Sequence, residues 1–515
     1  MSEWTNGEWA WLAGLLLIGC LTLGFFSFTA DGATDGQGGA PLDDAWIHFQ
    51  FARNLARGDG LSFNPGHPTS GSTAPLWTLL LAGLYLAGGR FPIAGQALSE
   101  VCFLVSLAAT YALTKQLTDN RWAAWLAGTV VAVNGRFVWA GLSALETCLF
   151  AALSLWAIAA HLHDCEAHRY HLRTAALFGL AALSRPEGYL LFALSLANFS
   201  HHVSHITHDL PHHIRRRVSR SSIISRILFH VSVVFLPTIL FAIIVLPYLI
   251  FSLHTSGHLL PNTYHAKSVI SLLPSRDFLS LAARYLILDN LLLLPFYLLG
   301  VILLIGQAPI LSLWSVGLPL TYAFLHAAPY QHGRYLMPLI PINAALGIVG
   351  LLEARKLTRR RGYRWRTGAS ALACSLIIVG TAWRLPTMAD QYGQNVAEIN
   401  RMHVALGRWA TEHTPPKAVL ALNDIGAIAY TSERPVVDLA GMVTPEVIPI
   451  LHNPNRDALL ADFLVEQGVE YVIIFPNWYP GLAARRDLLK EVHQVKLNNR
   501  SIAGGKKMVV YEMQN

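Results

Sequence analysis

The chain has 515 residues, of which 53% are hydrophobic and only 13% are charged. Its mean hydropathy of +0.41 excludes an ordinary soluble protein and indicates a membrane protein with several spans. The formal net charge of +7 is concentrated in two loops, so it concerns membrane orientation, and nucleic acid is not an expected partner. The five cysteines lie in apolar runs or a short loop and imply no disulfide framework.

Apolar runs predict about eleven membrane spans. The first run follows a stretch without Lys or Arg, so we expect a retained anchor and not a cleaved signal peptide. The sequence S-R-P-E-G at 184–188 interrupts another run, which is therefore either one broken span or two half-spans. The predicted spans are 9–29, 75–90, 95–113, 121–141, 143–161, 172–200, 226–252, 278–305, 309–327, 333–352 and 368–388.

Two basic loops, 211–226 and 353–366, predict the orientation of the chain. Loops rich in Lys and Arg tend to remain in the cytoplasm. Four predicted spans separate these two loops, and an even number places both on the same side. Counting from them puts residues 30–74, and everything after residue 389, on the outer side of the plasma (inner) membrane.

The predicted fold is mostly α. Residues 1–388 form a polytopic transmembrane helical bundle, and residues 389–515 form a small extracytoplasmic α/β domain. In this domain, short apolar runs predict buried strands at 417–422, 435–439 and 470–475, and periodic patterns predict helices at 395–412 and 456–467. We find no inverted pair of broken spans of the kind that transporters show.

The first outer loop, 30–74, carries a pair of adjacent carboxylates, Asp43 and Asp44. They begin a segment that can be helical to about Arg57, where Gly58 offers a left-handed stop. Asp43 stands at the expected helix N-cap, where the helix dipole favours its ionised form. A plain N-cap followed by a solvated loop is the alternative interpretation of the pair.

This predicted helix also has an apolar stripe, because Ile47, Phe51 and Leu55 are spaced four residues apart. A short amphipathic helix next to a membrane lies in the interface with its stripe facing the lipid. We therefore expect the two carboxylates at the boundary between water and lipid.

Several other polar residues fall at the outer ends of predicted spans. Asn262, Tyr264 and Lys267 lie in the outer loop 253–277, and His332 and Arg334 lie at the start of the span 333–352. Charged residues at membrane depth are costly and tend to be functional. An arginine at this position can bind a phosphate through two hydrogen bonds, whereas snorkelling to the interface is the structural alternative.

Three further ionisable residues lie within apolar runs. Arg185 and Glu187 can pair with each other, and Glu146 has no obvious partner in the sequence. For these three we favour a supporting, structural role. The histidine-rich segments 161–171 and 201–213 lack fixed ligand spacing, so we interpret both as polar loops. We assign no metal ligands in the sequence, and no cofactor is predicted with certainty; a divalent cation is left as an open alternative.

Two outward carboxylates, basic groups at the same level and an apolar bundle suit a substrate that is half lipid. A polyprenyl phosphate carrying a sugar fits this description. One carboxylate would take the proton from an acceptor hydroxyl as that hydroxyl attacks the sugar carbon. Cations would stabilise the departing lipid phosphate. The acceptor, whether a glycan, a lipid or a protein, and the sugar remain open.

A succession of short motifs extends along most of the chain. The motifs are D-D-A-W at 43–46, F-A-R-N-L at 51–55, G-L at 60–61, F-N-P-G at 63–66, L-S-R-P-E-G at 183–188, L-P-N-T at 260–263, G-R-Y-L-M-P at 333–338, N-D-I-G-A-I at 423–428 and V-D-L-A-G at 437–441. The succession resembles the GT-C glycosyltransferases, and within them the actinobacterial terminal arabinofuranosyltransferase group. The first loop carries the most specific part of this resemblance.

The resemblance implies a transferase that uses a lipid-phosphate sugar, with Asp43 as the general base and Asp44 beside it. It also implies that Arg334, with Lys267 and His332, holds the donor phosphate. Two departures prevent us from transferring the sugar specificity. Asp59 stands where that group often has His, and T-S-G-S-T-A-P-L-W at 69–77 differs from the usual sequence.

Two other functions compete with this one. A transporter or flippase for lipid-linked sugars should place its polar groups near the bilayer midplane, whereas here they cluster at one outer face. A glycan ligase that uses a lipid diphosphate donor would not need the early Asp pair.

Overall fold

The computed structural model describes residues 6–209, 223–267, 271–327, 331–360 and 366–514. It is mostly helical, as predicted. The α-helices of the first part of the chain are α1 Asn6–Thr34, α2 Asp43–Arg57, α3 Pro75–Leu86, α4 Ile93–Thr118, α5 Arg121–Ala132, α6 Gly135–Gly141, α7 Thr147–Glu166, α8 Leu172–Ser184 and α9 Glu187–Asp209. They are followed by α10 Ile223–Ser256, α11 Asn262–Lys267, α12 Arg276–Asn290, α13 Leu294–Gln307, α14 Pro309–Phe324, the 3-10 segment Gln331–Leu339, α15 Ile340–Arg360 and α16 Arg366–Ala382.

Within the described residues, six helical stretches are long and apolar enough to cross a membrane, or seven if the bent pair α12–α13 is counted as one span. The predicted number of eleven spans is therefore not confirmed. The six stretches are Gly7–Thr34, Ile93–Thr118, Thr147–Glu166, Phe235–Ser256, Gln331–Leu357 and Ala371–His413. Most of the basic loop 211–226, and residues 361–365 of the other basic loop, lie outside the described residues.

The predicted spans that contain polar interruptions are broken in the structure. Helix α5 ends at Ala132, and Asn134 is the N-cap of α6, where its side chain accepts a hydrogen bond from the Phe137 N–H. Arg185 has an extended backbone, with φ −157° and ψ 143°, because the following Pro186 disfavours a helical conformation there. The run 172–200 is thus divided into two helices, α8 and α9, and whether they form one broken span or two half-spans stays a prediction.

The predicted span at 75–90 is not confirmed. Its helix α3 has only 12 residues and is about 18 Å long, too short for a hydrocarbon core of about 30 Å. Phe91, which follows α3, stacks on Phe49 of α2 with ring centroids 4.5 Å apart. The chain before α3 also lies near α2, since Gly71 approaches Phe51. Helix α3 therefore begins and ends beside the first outer loop.

The C-terminal region begins with a continuous helical run formed by α17 Leu385–Ile399, the π-turn Asn400–Val404 and α18 Ala405–His413. This run crosses the predicted boundary at residue 389 without a break, and the division into two domains there stays a prediction. The remaining elements are β1 Leu420–Leu422, α19 Gly426–Ser432, β2 Val436–Asp438, α20 Val447–Leu451, α21 Arg456–Glu466, β3 Tyr471–Ile474, α22 Pro480–Ala483, β4 Leu489–Lys496 and β5 Lys507–Met513.

Five strands form one sheet in the order β2-β1-β3-β5-β4. Strand β1 is parallel to β2 and β3, with Leu420 opposite Val436 and Tyr471, whereas β5 is antiparallel to β3 and β4. The three predicted strands are confirmed as β1, β2 and β3, because each is a short buried run. Strands β4 and β5 were not predicted. Strand β4 lies at the sheet edge and is mostly polar and exposed, whereas the missed β5 is a short buried run.

Helix α2 has the bounds that the sequence predicts, and Gly58 ends it with φ 91°. Its predicted environment is wrong, however. Phe51 is fully buried and Ile47 nearly so, and both pack with Met402 and Leu406 in a core shared with the C-terminal sheet. The apolar stripe is thus covered by protein and does not face lipid.

Candidate active site

A cavity of about 680 Å³ lies where α2 meets the breaks between the bundle helices. Its wall combines apolar side chains with a group of charged and phenolic ones. The polar and aromatic lining residues are Asp44, His48, Thr73, Glu146, Arg185, Glu187, Tyr189, Thr263, Tyr264, Thr321, Tyr322, His326, Gln331, Arg334 and Tyr335. The cavity is therefore built from parts of the chain that lie up to about four hundred residues apart in the sequence.

Asp44 and Arg334 form an ion pair on this wall. The Arg334 side chain is 11% exposed and that of Asp44 is 24% exposed, so the pair is only partly hydrated. Arg334 also lies near the face of Tyr335, with 5.3 Å between the guanidinium carbon and the ring centroid. A carboxylate and a guanidinium thus face the same enclosed space.

A second group of charges surrounds Arg185. This guanidinium donates to Glu187 Oε1 at 2.9 Å through Nε and to the Tyr322 hydroxyl at 2.9 Å through Nη2. Its Nη1 lies 3.3 Å from Glu146 Oε1. The pairing of Arg185 with Glu187 is confirmed, and Glu146, for which the sequence suggested no partner, is paired with Arg185.

Glu146 has a second neighbour from the first loop. His48 Nε2 lies 3.7 Å from Glu146 Oε2. His48 comes four residues after Asp44, so both lie on the same face of α2. This spacing is the sequence signal that could have identified His48 as a residue of the site.

Asp43 has a different environment from its neighbour. It is the first residue of α2 and not the N-cap, which is Leu42. Its two carboxylate oxygens accept hydrogen bonds from the N–H groups of Gly426 and Ala427, each at 2.7 Å. Asp43 does not line the cavity, whereas Asp44 does.

Burial is the main cause that raises the pKa of Asp43 to about 6. The nearby His403 lowers this pKa, and the Asp424 carboxylate raises it. His403 Nε2 lies 2.9 Å from Asp424 Oδ2, and the His403 side chain is fully buried. Asp43 is therefore part of a buried contact between α2 and the start of α19.

The other predicted site residues have varied positions. Tyr264 lines the cavity, but Asn262 is buried beside it, with its Nδ2 3.5 Å from Thr69 Oγ1. His332 does not line the cavity, and its Nε2 lies 2.8 Å from Asn395 Oδ1. The side chain of Lys267 lies outside the described residues. Tyr322 and Tyr335 were missed, because nothing in an apolar run distinguishes a tyrosine that faces a cavity.

The histidine-rich segment 161–171 brings three potential ligands together, and they are His163, Asp164 and His171. The fully buried Asp164 carboxylate already accepts hydrogen bonds from the His171 N–H at 2.9 Å and from His171 Nδ1 at 2.6 Å. These bonds fix the turn between α7 and α8. The interpretation of 161–171 as a polar loop is wrong for residues 161–166, which belong to α7. Residues 210–213 of the other histidine-rich segment lie outside the described residues.

A bundle of long apolar helices, with a charged cavity at the end that carries the α/β region, defines a multi-pass membrane protein. A family model described as a domain of unknown function, DUF8728, matches residues 390–511. No curated protein matches the sequence at a significant level.

Solved structures share the fold over nearly the whole chain. ArnT from Cupriavidus metallidurans bound to undecaprenyl phosphate matches with a TM-score of 0.60 and 12% identity, over 97% of this chain and 98% of that one. The apo oligosaccharyltransferase from Archaeoglobus fulgidus matches with a TM-score of 0.58 and 13% identity, over 90% of this chain and 69% of that one.

Arabinofuranosyltransferase AftD from Mycobacteria matches with a TM-score of 0.53 and 14% identity, over 100% of this chain but only 40% of that one. All of these proteins are GT-C glycosyltransferases. The chain therefore has the GT-C fold, and the resemblance indicated by its first loop is confirmed.

Proposed function

We propose that the protein is a membrane glycosyltransferase that transfers a sugar from a polyprenyl-phosphate donor to an acceptor hydroxyl, with Asp44 as the general base. The observation that carries this proposal is the Asp44–Arg334 ion pair on the wall of the cavity. Transfer needs a base at the acceptor hydroxyl and a cation at the leaving phosphate, and this pair supplies both groups on one wall of the cavity.

The sequence favoured Asp43 as the base, and the geometry supports its neighbour. Both Asp43 oxygens accept hydrogen bonds from backbone N–H groups, and the residue is only 8% exposed and does not line the cavity. A general base must be within hydrogen-bond reach of the proton that it removes. Asp44 meets this condition because its carboxylate faces the cavity.

Donor binding frees the base in this scheme. Without donor, the Asp44 carboxylate is held by the Arg334 guanidinium. A phosphate is a bidentate partner for that guanidinium and competes with the carboxylate for it. The donor phosphate would thus take Arg334 away from Asp44, and the carboxylate would then be available to the acceptor.

The reaction is a direct displacement at the sugar carbon. Asp44 removes the proton from the acceptor hydroxyl, and the hydroxyl oxygen forms a bond to the anomeric carbon. The bond between that carbon and the phosphate oxygen breaks, and the phosphate leaves with the electron pair. Arg334 stabilises the negative charge on this leaving group.

The charged residues around Arg185 line the same cavity as Asp44 and Arg334 and can bind the hydroxyl groups of a sugar. Glu146, Glu187 and the Tyr322 hydroxyl present acceptor oxygens, which sugar hydroxyl groups require. Arg185 neutralises part of the charge of the two carboxylates. We assign to these residues the binding and orientation of the sugar ring.

The partners and the location follow from this chemistry. The donor is a polyprenyl-phosphate sugar, the acceptor is a hydroxyl of a glycan, a lipid or a protein, and the protein lies in the plasma (inner) membrane. The cavity and the C-terminal region face the extracytoplasmic side, which is supported by the basic loops of the sequence.

Purified protein incubated with a panel of polyprenyl-phosphate sugars tests this function. We expect one donor to lose its sugar to an added acceptor, with release of free polyprenyl phosphate, in wild type but not in the Asp44→Asn variant. Release that is equal in both proteins, or the absence of transfer from every donor, would overturn the proposal.

A further inference from the structure

Arg136 is a buried arginine that does not line the cavity but contacts the segment that carries Arg334. It is the second residue of α6, and its side chain is 2% exposed. Its Nε donates to the His332 carbonyl oxygen at 2.8 Å, and its Nη2 donates to the Gly333 carbonyl oxygen at 2.8 Å. The guanidinium thus bridges the two residues that come directly before Arg334.

The guanidinium is itself fixed from two other directions. Its Nη1 pairs with Asp289 of α12. Its central carbon lies 3.7 Å from the centre of the Tyr285 ring, within the range of a cation–π contact. A buried guanidinium whose three nitrogens each have a partner has little freedom to move, so Arg136 is a rigid support.

The segment that Arg136 holds has an unusual backbone. Gln331, His332 and Gly333 have φ values of 56°, 56° and 63°, all in the left-handed region. A residue other than glycine in this region is strained and persists only where its surroundings impose it. Contacts with Arg136 are therefore needed to keep this turn in place.

Close packing reinforces the same turn. A Cβ atom added to Gly333 would lie 2.6 Å from a Tyr285 ring carbon and 3.0 Å from Arg136 Nη2. On the other side, His332 Nε2 lies 2.8 Å from Asn395 Oδ1. The turn is enclosed, and Arg334 leaves it pointing to Asp44.

We propose that Arg136 is a positioning residue that places the Arg334 guanidinium for the donor phosphate by holding this left-handed turn. The inference rests on the proposed function, because it assigns a task to Arg334. It concerns donor binding and not the proton transfer, since Arg136 touches neither Asp44 nor the cavity.

The Arg136→Lys variant tests the inference, because an ammonium keeps the charge that faces Asp289 but cannot bridge two carbonyl groups with a planar fork. We expect the donor KM to rise about tenfold or more while kcat changes by less than about threefold. Binding of undecaprenyl phosphate, measured without acceptor, should weaken by a similar factor.

A double-mutant cycle with Arg334→Lys shows whether the two arginines act together. If Arg136 acts through Arg334, adding Arg136→Lys to Arg334→Lys should cause almost no further loss. Arg53→Lys is the matched control, because Arg53 is also buried but contacts Tyr430 and Glu433 of the C-terminal region. The factor by which Arg53→Lys changes the donor KM should therefore be the same in wild type and in Arg334→Lys.

A donor KM equal to that of wild type in Arg136→Lys, or an effect that multiplies fully with Arg334→Lys, would overturn the inference. If this variant does not fold, Gly333→Ala disturbs the same turn and must give the same rise in donor KM. Wild-type protein that neither binds undecaprenyl phosphate nor transfers sugar would instead contradict the proposed function.

Discussion

Two neighbouring aspartates have opposite surroundings because consecutive helix residues point about 100° apart. Asp43 lies on the face of Ile47 and Phe51, four and eight residues further on, and this face packs against the C-terminal region. Asp44 lies on the face of His48, which borders the cavity. The rotation of one helix therefore decides which carboxylate can reach a substrate.

Arg334→Lys should reduce the use of donor by more than about tenfold, because a point charge cannot replace a two-pronged contact with phosphate. The initial rate of transfer at low donor concentration measures this. Lys356→Arg, the reverse exchange in an exposed Lys, should leave the rate unchanged. Normal use of donor by Arg334→Lys would make Arg334 an interfacial anchor and not a phosphate ligand.

The raised pKa of Asp43 predicts a pH-dependent stability. In the unfolded chain an Asp has a pKa of about 3.9, whereas the pKa of folded Asp43 is about 6, so the folded protein holds this proton more tightly. The contribution of Asp43 to stability therefore declines as the pH rises from about 4 through about 6.

Asp43→Asn cannot ionise and should escape this decline. Between pH 4 and pH 7, the unfolding free energy of the variant should rise by roughly 2–3 kcal/mol relative to that of wild type. Thermal unfolding of both proteins in detergent at several pH values measures the difference. A difference that stays constant across this range would contradict the assigned environment of Asp43.

At the scale of elements, α2 is fixed to the C-terminal region by polar contacts as well as by its apolar stripe. The buried Arg53 donates to the Tyr430 carbonyl oxygen and to Glu433, both at 2.9 Å, and Arg57 lies 3.1 Å from Glu433. The Arg53 side chain is only 5% exposed, so removing its partners would leave a buried charge without compensation, which is costly. The C-terminal region thus holds the helix that carries Asp44.

Gly426→Ala should separate α2 from α19. A Cβ atom at Gly426 would lie 2.1 Å from the Asp43 carbonyl oxygen, so the backbone must shift. We expect a stability loss of about 1–3 kcal/mol and a strong loss of transfer. Gly317→Ala is the control, because its Cβ would meet nothing within 4 Å. Unchanged thermal stability and activity in Gly426→Ala would argue against this docking.

The bounds of α2 and the strands β1 to β3 were predictable, because Gly58 and short apolar runs are local signals. The contacts of α2 were not, because Arg53 and Tyr430 are 377 positions apart in the sequence. The same holds for the site. The sequence shows charged residues at the ends of apolar runs or within them, and these include Asp44, Arg185, Glu187 and Arg334. It does not show which of them come into contact, because this depends on where distant helices end.

At the scale of the whole molecule, the breaks in the bundle meet at one end. Asp44, Glu146, Arg185 and Arg334 come from separate parts of the chain and share one cavity. Each of them lies at or next to a helix end, where the chain turns and the backbone is not continuous. These four charged residues therefore lie at one end of the bundle, on the side of the C-terminal sheet.

Alkaline phosphatase fused after residue 515 should be active, and green fluorescent protein fused there should not fluoresce. The basic loops place this end of the chain on the extracytoplasmic side, where the cavity also opens. Paired alkaline phosphatase and green fluorescent protein fusions measure the location, and fusions within 353–366 should give the opposite pattern. A fluorescent, phosphatase-inactive fusion after residue 515 would contradict the orientation and the access of an outer acceptor.

The central claim is that Asp44 is the general base, and the most direct test compares Asp44→Asn with Asp43→Asn in the same transfer assay. Removal of a general base typically costs about 100- to 10,000-fold, so Asp44→Asn should lose at least about 100-fold in kcat and still bind undecaprenyl phosphate. Asp43→Asn should retain more activity than Asp44→Asn. An Asp44→Asn variant that transfers sugar at the wild-type rate would contradict the account.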